Sequence, residues 1–209
     1  MIIQWIGHSS FHIRGSKTII TDPYEGIGLD FPELKADIVT VSHGHHDHNA
    51  VQMVAGEPAV VADAGIRRVG NVSVVGYNTY HDEEKGAKRG RNVVYVITMD
   101  GIKIAHLGDL GCMPDDSILG AITGVDVLLI PVGGNYTIDG KTAAEIVAEV
   151  KPRTVIPMHY KTPGLQVNVS GNEEFLALME NVQQVEGSRL ELTPLTGKVV
   201  VFEKPLGEK

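Results

Sequence analysis

The sequence predicts an α/β protein in which two packed sheets are covered by helices. Three observations carry that prediction. Short apolar runs punctuated by glycine fill the first forty residues and much of the middle. Strand-like and helix-like segments alternate in the last hundred residues. Apolar runs stop at His43, at Asp109 and at His159, as they would if strands delivered polar groups to one sheet edge.

The first strands are expected at Ile2–Ile6, Ser10–Arg14 and Lys17–Thr21, separated by Gly7 and by Gly15-Ser16. Ala36–Val41 reads as a buried strand running into a histidine-rich segment. Asn49–Ala55 is expected to hold a short helix, and Ala59–Val61 a short strand. Val72–Val75, Val93–Met99 and Ile102–Leu107 follow as strands, with Asp100-Gly101 as the hairpin turn between the last two. Helices near Asp115–Ala121 and Thr142–Val150 precede strands at Val125–Ile130 and Thr154–Pro157. A last helix near Asn172–Asn181 leads to strands at Arg189–Leu192 and Lys198–Phe202. No repeat or linker divides the 209 residues, so one domain spanning 1–209 is expected.

Composition removes several functions. A formal charge of −8, from 18 Lys and Arg against 26 Asp and Glu, argues against nucleic acid or an anionic membrane surface as the main partner. The single cysteine, Cys112, excludes an intramolecular disulfide and a thiolate-rich zinc knuckle. No apolar run approaches the roughly 18 residues of a membrane span. The start of the chain has no basic leader followed by an apolar core, so a cytoplasmic protein is expected.

Ser42-His43-Gly44-His45-His46-Asp47-His48-Asn49 demands its own explanation. As cations these histidines would repel one another, and as neutral rings they would compete for hydrogen-bond partners. A divalent metal resolves both problems, because imidazole nitrogen is a common metal ligand. In a locally extended chain His43 and His45 point the same way, with Gly44 permitting a tight backbone path. Asp47 and His48 then face a neighbouring position, a spacing that suits two metals.

The pattern His-x-His-x-Asp-His resembles the metallo-β-lactamase superfamily. His81, Asp109 in His106-Leu107-Gly108-Asp109, and His159 in Pro157-Met158-His159 match its later ligands in order and spacing. The resemblance implies a four-layer αββα sandwich, two mixed sheets flanked by helices. It also implies that His43, His45 and His81 hold one ion, that Asp47, His48 and His159 hold the other, and that Asp109 bridges them. Asp22, in Thr21-Asp22-Pro23, stands where the superfamily carries a carboxylate supporting the histidines.

Departures from larger relatives narrow the branch. Diiron flavoproteins of the superfamily have Glu where His45 stands, and secreted β-lactamases lack an aspartate at the position of Asp109. Gly7-His8-Ser9-Ser10-Phe11, Gly90-Arg91-Asn92 and Pro131–Thr137 are similar to the short metal-dependent hydrolases that neighbour the ascorbate-phosphate lactonases.

The expected activity is hydrolysis of an ester, lactone or phosphodiester bond in a small anionic substrate. Two Zn²⁺, with Mn²⁺ or iron as alternatives, would bridge a water and lower its pKa from about 15.7 towards neutral. Asp47 and Asp109 are the catalytic carboxylates, and His8 is a polarising or proton-donating group. Arg91, Tyr160 and Lys161 are candidates to meet an anion. Tyr24–Leu34 and Thr162–Asn172 are the loops expected to line the cleft. His12, His46 and His106 are set aside as ligands, and nothing near Cys112 marks it as a nucleophile. Two other readings use the same residues: a non-catalytic module that senses or holds an anionic ligand, and an iron-dependent redox protein.

Overall fold

The computed structural model describes residues 1–192 and 198–208. Gly7 and Gly15-Ser16 break the opening apolar runs into β1 (Ile2–Gly7), β2 (Ser10–Arg14) and β3 (Thr18–Thr21), which pair antiparallel in sequence order. Next come β4 (Leu34–Lys35), β5 (Ile38–Thr40), β6 (Val54–Ala55) and β7 (Ala59–Val61). β3 pairs parallel with β5, and β5 with β7, whereas β4 and β6 form a separate two-stranded sheet.

The second sheet starts antiparallel with β8 (Gly65–Val69), β9 (Val72–Tyr80), β10 (Arg91–Met99) and β11 (Ile102–His106). Asp100 and Gly101 both have positive φ, as the tight hairpin turn requires. The pairing then becomes parallel. α1 (Asp116–Ile122) leads to β12 (Val127–Pro131), and α2 (Gly140–Val150) leads to β13 (Thr154–Met158). Asp115 and Asp139 cap these helices through Ile118 N and Thr142 N. α3 (Glu173–Ala177), β14 (Val182–Val185), β15 (Arg189–Glu191) and β16 (Lys198–Phe202) complete the order. The six-stranded sheet runs β15-β1-β2-β3-β5-β7, and the eight-stranded sheet β14-β16-β13-β12-β11-β10-β9-β8.

Both sheets are therefore mixed, as the fold class requires. Alternate residues of β1, β2, β3 and β5 (Ile3, Trp5, Phe11, Ile13, Ile19, Ile38) join the main core, together with the eight-stranded sheet and the apolar faces of all three helices. Ile6, Ile20 and Val39 face the other way. They are covered by Tyr24, Ile27, Leu29, Leu165 and Val169 from the loops, with Val54 of β6 and Val51 of the adjoining 3-10 helix.

Several local expectations change. The short helix expected within residues 49–55 is a single 3-10 turn (Val51–Met53), and β6 follows it directly. Asn49 turns its carboxamide back to Gly44 O, the Ala50 amide is taken by Pro23 O, and Val54 pairs with Leu34. The final helix stops at Ala177, and residues 182–185 become β14 because parallel pairing with β16 satisfies that backbone. β9 runs on through Gly76 to Tyr80, its side chains alternating between buried and exposed along much of its length. The edge strand β8 contains two exposed arginines and gives no apolar alternation to read. Among the described residues no helix is long and apolar enough to cross a membrane.

This topology gathers the chemistry at one rim. β3 ends before Asp22, β5 before Ser42-His43, β11 before Gly108-Asp109, and β13 before His159. In sheets of this kind the crevice beyond the carboxyl ends of parallel strands is where ligands bind.

Candidate metal centre

The histidine segment is wound into bends and turns, not extended. The amides of His48 and Asn49 both donate to His45 O (2.9 and 3.1 Å), and the Asn49 carboxamide donates to Gly44 O (2.8 Å). The winding still brings His43 Nε2 within 3.0 Å of His45 Nδ1. His81, at the end of β9, joins them, and one ligand atom from each of the three lies within 4.8 Å of the others. A second set (Asp47, His48, His159 and His8) converges equally closely. Asp109 touches both: Oδ2 is 3.2 Å from His81 Nε2 and 3.1 Å from His159 Nε2, while Oδ1 is 3.2 Å from His48 Nε2.

The outward-facing ring nitrogens show which atoms remain for a metal. His48 Nδ1 donates to Asp22 Oδ2 (2.8 Å), and His81 Nδ1 donates to Tyr136 O (3.0 Å). Ser42 Oγ donates to Asp22 Oδ2 (2.5 Å) and so accepts from His43 Nδ1 (3.0 Å). Each of these rings spends its proton outward and turns the lone pair of Nε2 inward. Asp22 thus orients His48 directly and His43 through Ser42, whose amide it also accepts (2.8 Å).

The inward atoms have a deficit that a cation would fill. His48 Nε2 and Asp109 Oδ1 are buried 3.2 Å apart, in a geometry that makes no well-formed hydrogen bond. Burial and neighbouring His48 push His43 down to about 3, so its ring is neutral at pH 7, the form in which a histidine binds a metal. Burial opposes charge on His48 as well, but Asp109 and Asp22 overcome it and hold its pKa well above the usual value when only protons compete. Burial would likewise raise Asp109, yet the surrounding His159 and His48 keep it well below the ordinary carboxylate range. Imidazoles and carboxylates without thiolate form a donor set that zinc, manganese and iron all accept.

Backbone strain is concentrated here. His8, Asp22 and His159 all have positive φ (53°, 39° and 53°), a conformation costing on the order of 1–3 kcal/mol each and found where surrounding structure dictates it. His106 helps to impose it: Nε2 donates to Ser9 O (2.8 Å), and Nδ1 accepts the Gly108 amide (3.2 Å). Asn92, buried in β10, accepts the Asp109 amide (3.0 Å) and donates to Leu107 O (2.9 Å).

Gly108 itself has φ +55°, and a Cβ there would stand 2.5 Å from Ser42 Cβ and collide with the Asn92 carboxamide. Gly108→Ala is therefore expected to cost roughly 1–3 kcal/mol. For a chain of this size each kcal/mol lowers Tm by about 2–4 °C. Thermal denaturation checks this, and an unchanged Tm would contradict the packing described.

A cavity of about 600 Å³ opens onto the cluster, with His45, Asp47, His81, Asp109 and His159 on its inner wall. Gly26 and Ile27 from the first loop expected at the cleft, and Gln166, Val167 and Asn168 from the second, form the outer wall. Gln166 N donates to Ile27 O (2.8 Å), which ties the two loops together.

The remaining candidates divide by position. His8 is buried behind Asp47, with Nε2 3.2 Å from Asp47 Oδ2, and does not line the cavity. Tyr160 stacks on Trp5 in the core (5.4 Å). The Lys161 ammonium is spent on Leu165 O and Val167 O, bracing the second loop. Arg91 is exposed and lies outside this cavity; Arg89, two residues earlier, is the arginine that lines it. His46 also lines the wall, although it joins neither donor set.

Comparison with known proteins agrees with this geometry. Residues 2–159 match the family described as the β-lactamase superfamily domain. A UPF0173 metal-dependent hydrolase of Thermococcus onnurineus is 32% identical, the match covering 77% of this chain and 84% of that protein. A namesake from Pelotomaculum thermopropionicum is 34% identical, with 78% and 85% covered. Among solved structures, a Thermotoga maritima protein assigned to the Zn-dependent hydrolases of the metallo-β-lactamase superfamily is 38% identical. It superposes with a TM-score of 0.82 over 96% of this chain and 97% of its own. Igni18, a metallo hydrolase from Ignicoccus hospitalis, shares the fold at 23% identity and a TM-score of 0.69, covering 99% and 96%.

Proposed function

Because the chain belongs to the β-lactamase superfamily domain family, and within it to the UPF0173 metal-dependent hydrolases, we propose that it cleaves an ester, lactone or phosphodiester bond of a small anionic substrate at a binuclear centre. The observation that carries this reading is the meeting of two donor sets on one buried carboxylate, Asp109, with His48 Nε2 and Asp109 Oδ1 left without a well-formed hydrogen bond between them. His43, His45 and His81 would hold one ion, Asp47, His48 and His159 the other, and Asp109 would serve both. Zinc suits the donors best, with manganese or iron as the alternatives. Ions held by these residues would supply an acidified water as nucleophile and polarise an oxygen of the bond to be cut.

The protein's own residues do the rest. Asp22 and Ser42 fix the rings of His43 and His48, and Tyr136 O fixes His81. Burial and His159 hold His8 down at about 4, so it is neutral at pH 7 and donates from Nε2 to Asp47. His8 thus positions Asp47 from behind instead of touching substrate. The loops carrying Ile27 and Val167 narrow the approach to the rim.

Chelation tests the reading. Protein screened against ester, lactone and phosphodiester substrates is expected to lose its turnover with a strong chelator and regain it with Zn²⁺ or Mn²⁺. Turnover that survives complete metal removal would overturn the proposal. Metal-dependent ligand binding without turnover on any substrate would assign the site to ligand sensing instead.

A further inference from the structure

We propose that Arg89 receives a carboxylate or phosphate group of the substrate, and so selects substrates carrying negative charge away from the bond that is cut. The inference rests on the hydrolase reading above and names the residue that would make the substrate anionic.

Arg89 is the only Lys or Arg among the described residues lining the cavity. A guanidinium in such a place ordinarily pairs with a neighbouring acid. Among the described residues no carboxylate lies within ion-pair distance of Arg89, and no side-chain hydrogen bond is made by it. Its guanidinium carbon instead lies 5.4 Å from the centroid of the Tyr136 ring. Stacking on an aromatic face leaves the N–H edge of a guanidinium free, and that edge matches carboxylate and phosphate in a two-pronged fashion.

The pair is built into the metal centre. Asp82, next to His81, accepts four backbone amides of the following loop: Glu84 (2.8 Å), Gly86 (2.9 Å), Lys88 (3.0 Å) and Arg89 itself (2.7 Å). The loop closes where the His81 amide donates to Gly90 O (3.1 Å). Tyr136, under the guanidinium, accepts from the His81 ring through its own carbonyl (3.0 Å). The backbones of both residues are therefore anchored beside one candidate metal ligand, and the guanidinium is held over the Tyr136 ring. Arg91, on the opposite side of Gly90, has no comparable placement.

The test is calorimetric titration of the metal-loaded full chain with inorganic phosphate and, separately, with succinate. Wild type is compared with R89Q, R89K, Y136L and Y136F, and metal content is measured alongside. R89Q is expected to weaken binding of the preferred anion at least ten-fold, and R89K by a smaller factor. Y136L, which removes the platform but keeps the carbonyl that orients His81, is expected to weaken it more than Y136F. The titration that loses more in R89Q identifies phosphate or carboxylate as the group received. Wild type that binds neither anion, or R89Q and R89K that retain metal and bind both anions within two-fold of wild type, overturns the proposal. Binding is read without turnover, so a failure of the hydrolase reading registers separately.

Discussion

Asp109→Ala is expected to abolish hydrolysis, by on the order of 10³-fold or more, and to lower bound metal per chain. The size of the effect follows from position. Its two oxygens lie 3.1–3.2 Å from nitrogens of His48, His81 and His159, so one substitution removes the group that both donor sets share. The main apolar core lies between and behind the sheets, away from this carboxylate, and the circular dichroism spectrum should keep its folded shape. Asp47→Ala is expected to lose turnover as well, with a smaller loss of metal, because it belongs to one set alone. Metal content and turnover within ten-fold of wild type in Asp109→Ala would contradict the assignment.

Asp22→Ala should be the most damaging change that touches no candidate ligand position. Asp22 is fully buried and accepts from the Ser42 amide, the Ser42 hydroxyl and His48 Nδ1. Its removal strands all three donors, at a cost of about 3–5 kcal/mol when a buried charged partner is lost. It also frees His43 and His48 to rotate, and loss of such outer partners typically costs 10–100-fold in metal affinity. Thermal denaturation reads the first effect, and competition with a chromophoric chelator reads the second. Wild-type values in both would remove Asp22 and Ser42 from the supporting network.

The first half of the site was legible because it is local, whereas His81, Asp109 and His159 were assembled through the resemblance. Four histidines and an aspartate within six residues cannot pack as ordinary side chains, and the strands feeding His43, Asp109 and His159 are strongly apolar. Asp22 was legible only through a resemblance, since an Asp-Pro pair otherwise reads as a turn. The substrate wall was not legible. Arg89 and Arg91 are two residues apart in one basic stretch of sequence, and nothing in their order says which faces the cavity; Arg89 falls in the loop caged around Asp82, and Arg91 begins β10. Asn92 and His106 act through backbone groups brought together by the fold, from 97 residues away for His106 and Ser9. Elements at sheet edges were lost for a similar reason. β8 and β14 carry charged or polar residues, and only their pairing partners make them strands.

The most direct measurement is anomalous diffraction at the zinc edge from crystals of the metal-loaded protein. The proposed centre predicts two peaks flanking Asp109, one among His43, His45 and His81, the other among Asp47, His48 and His159. A single peak, or ions bound away from these residues, would contradict the binuclear centre on which the proposed chemistry depends.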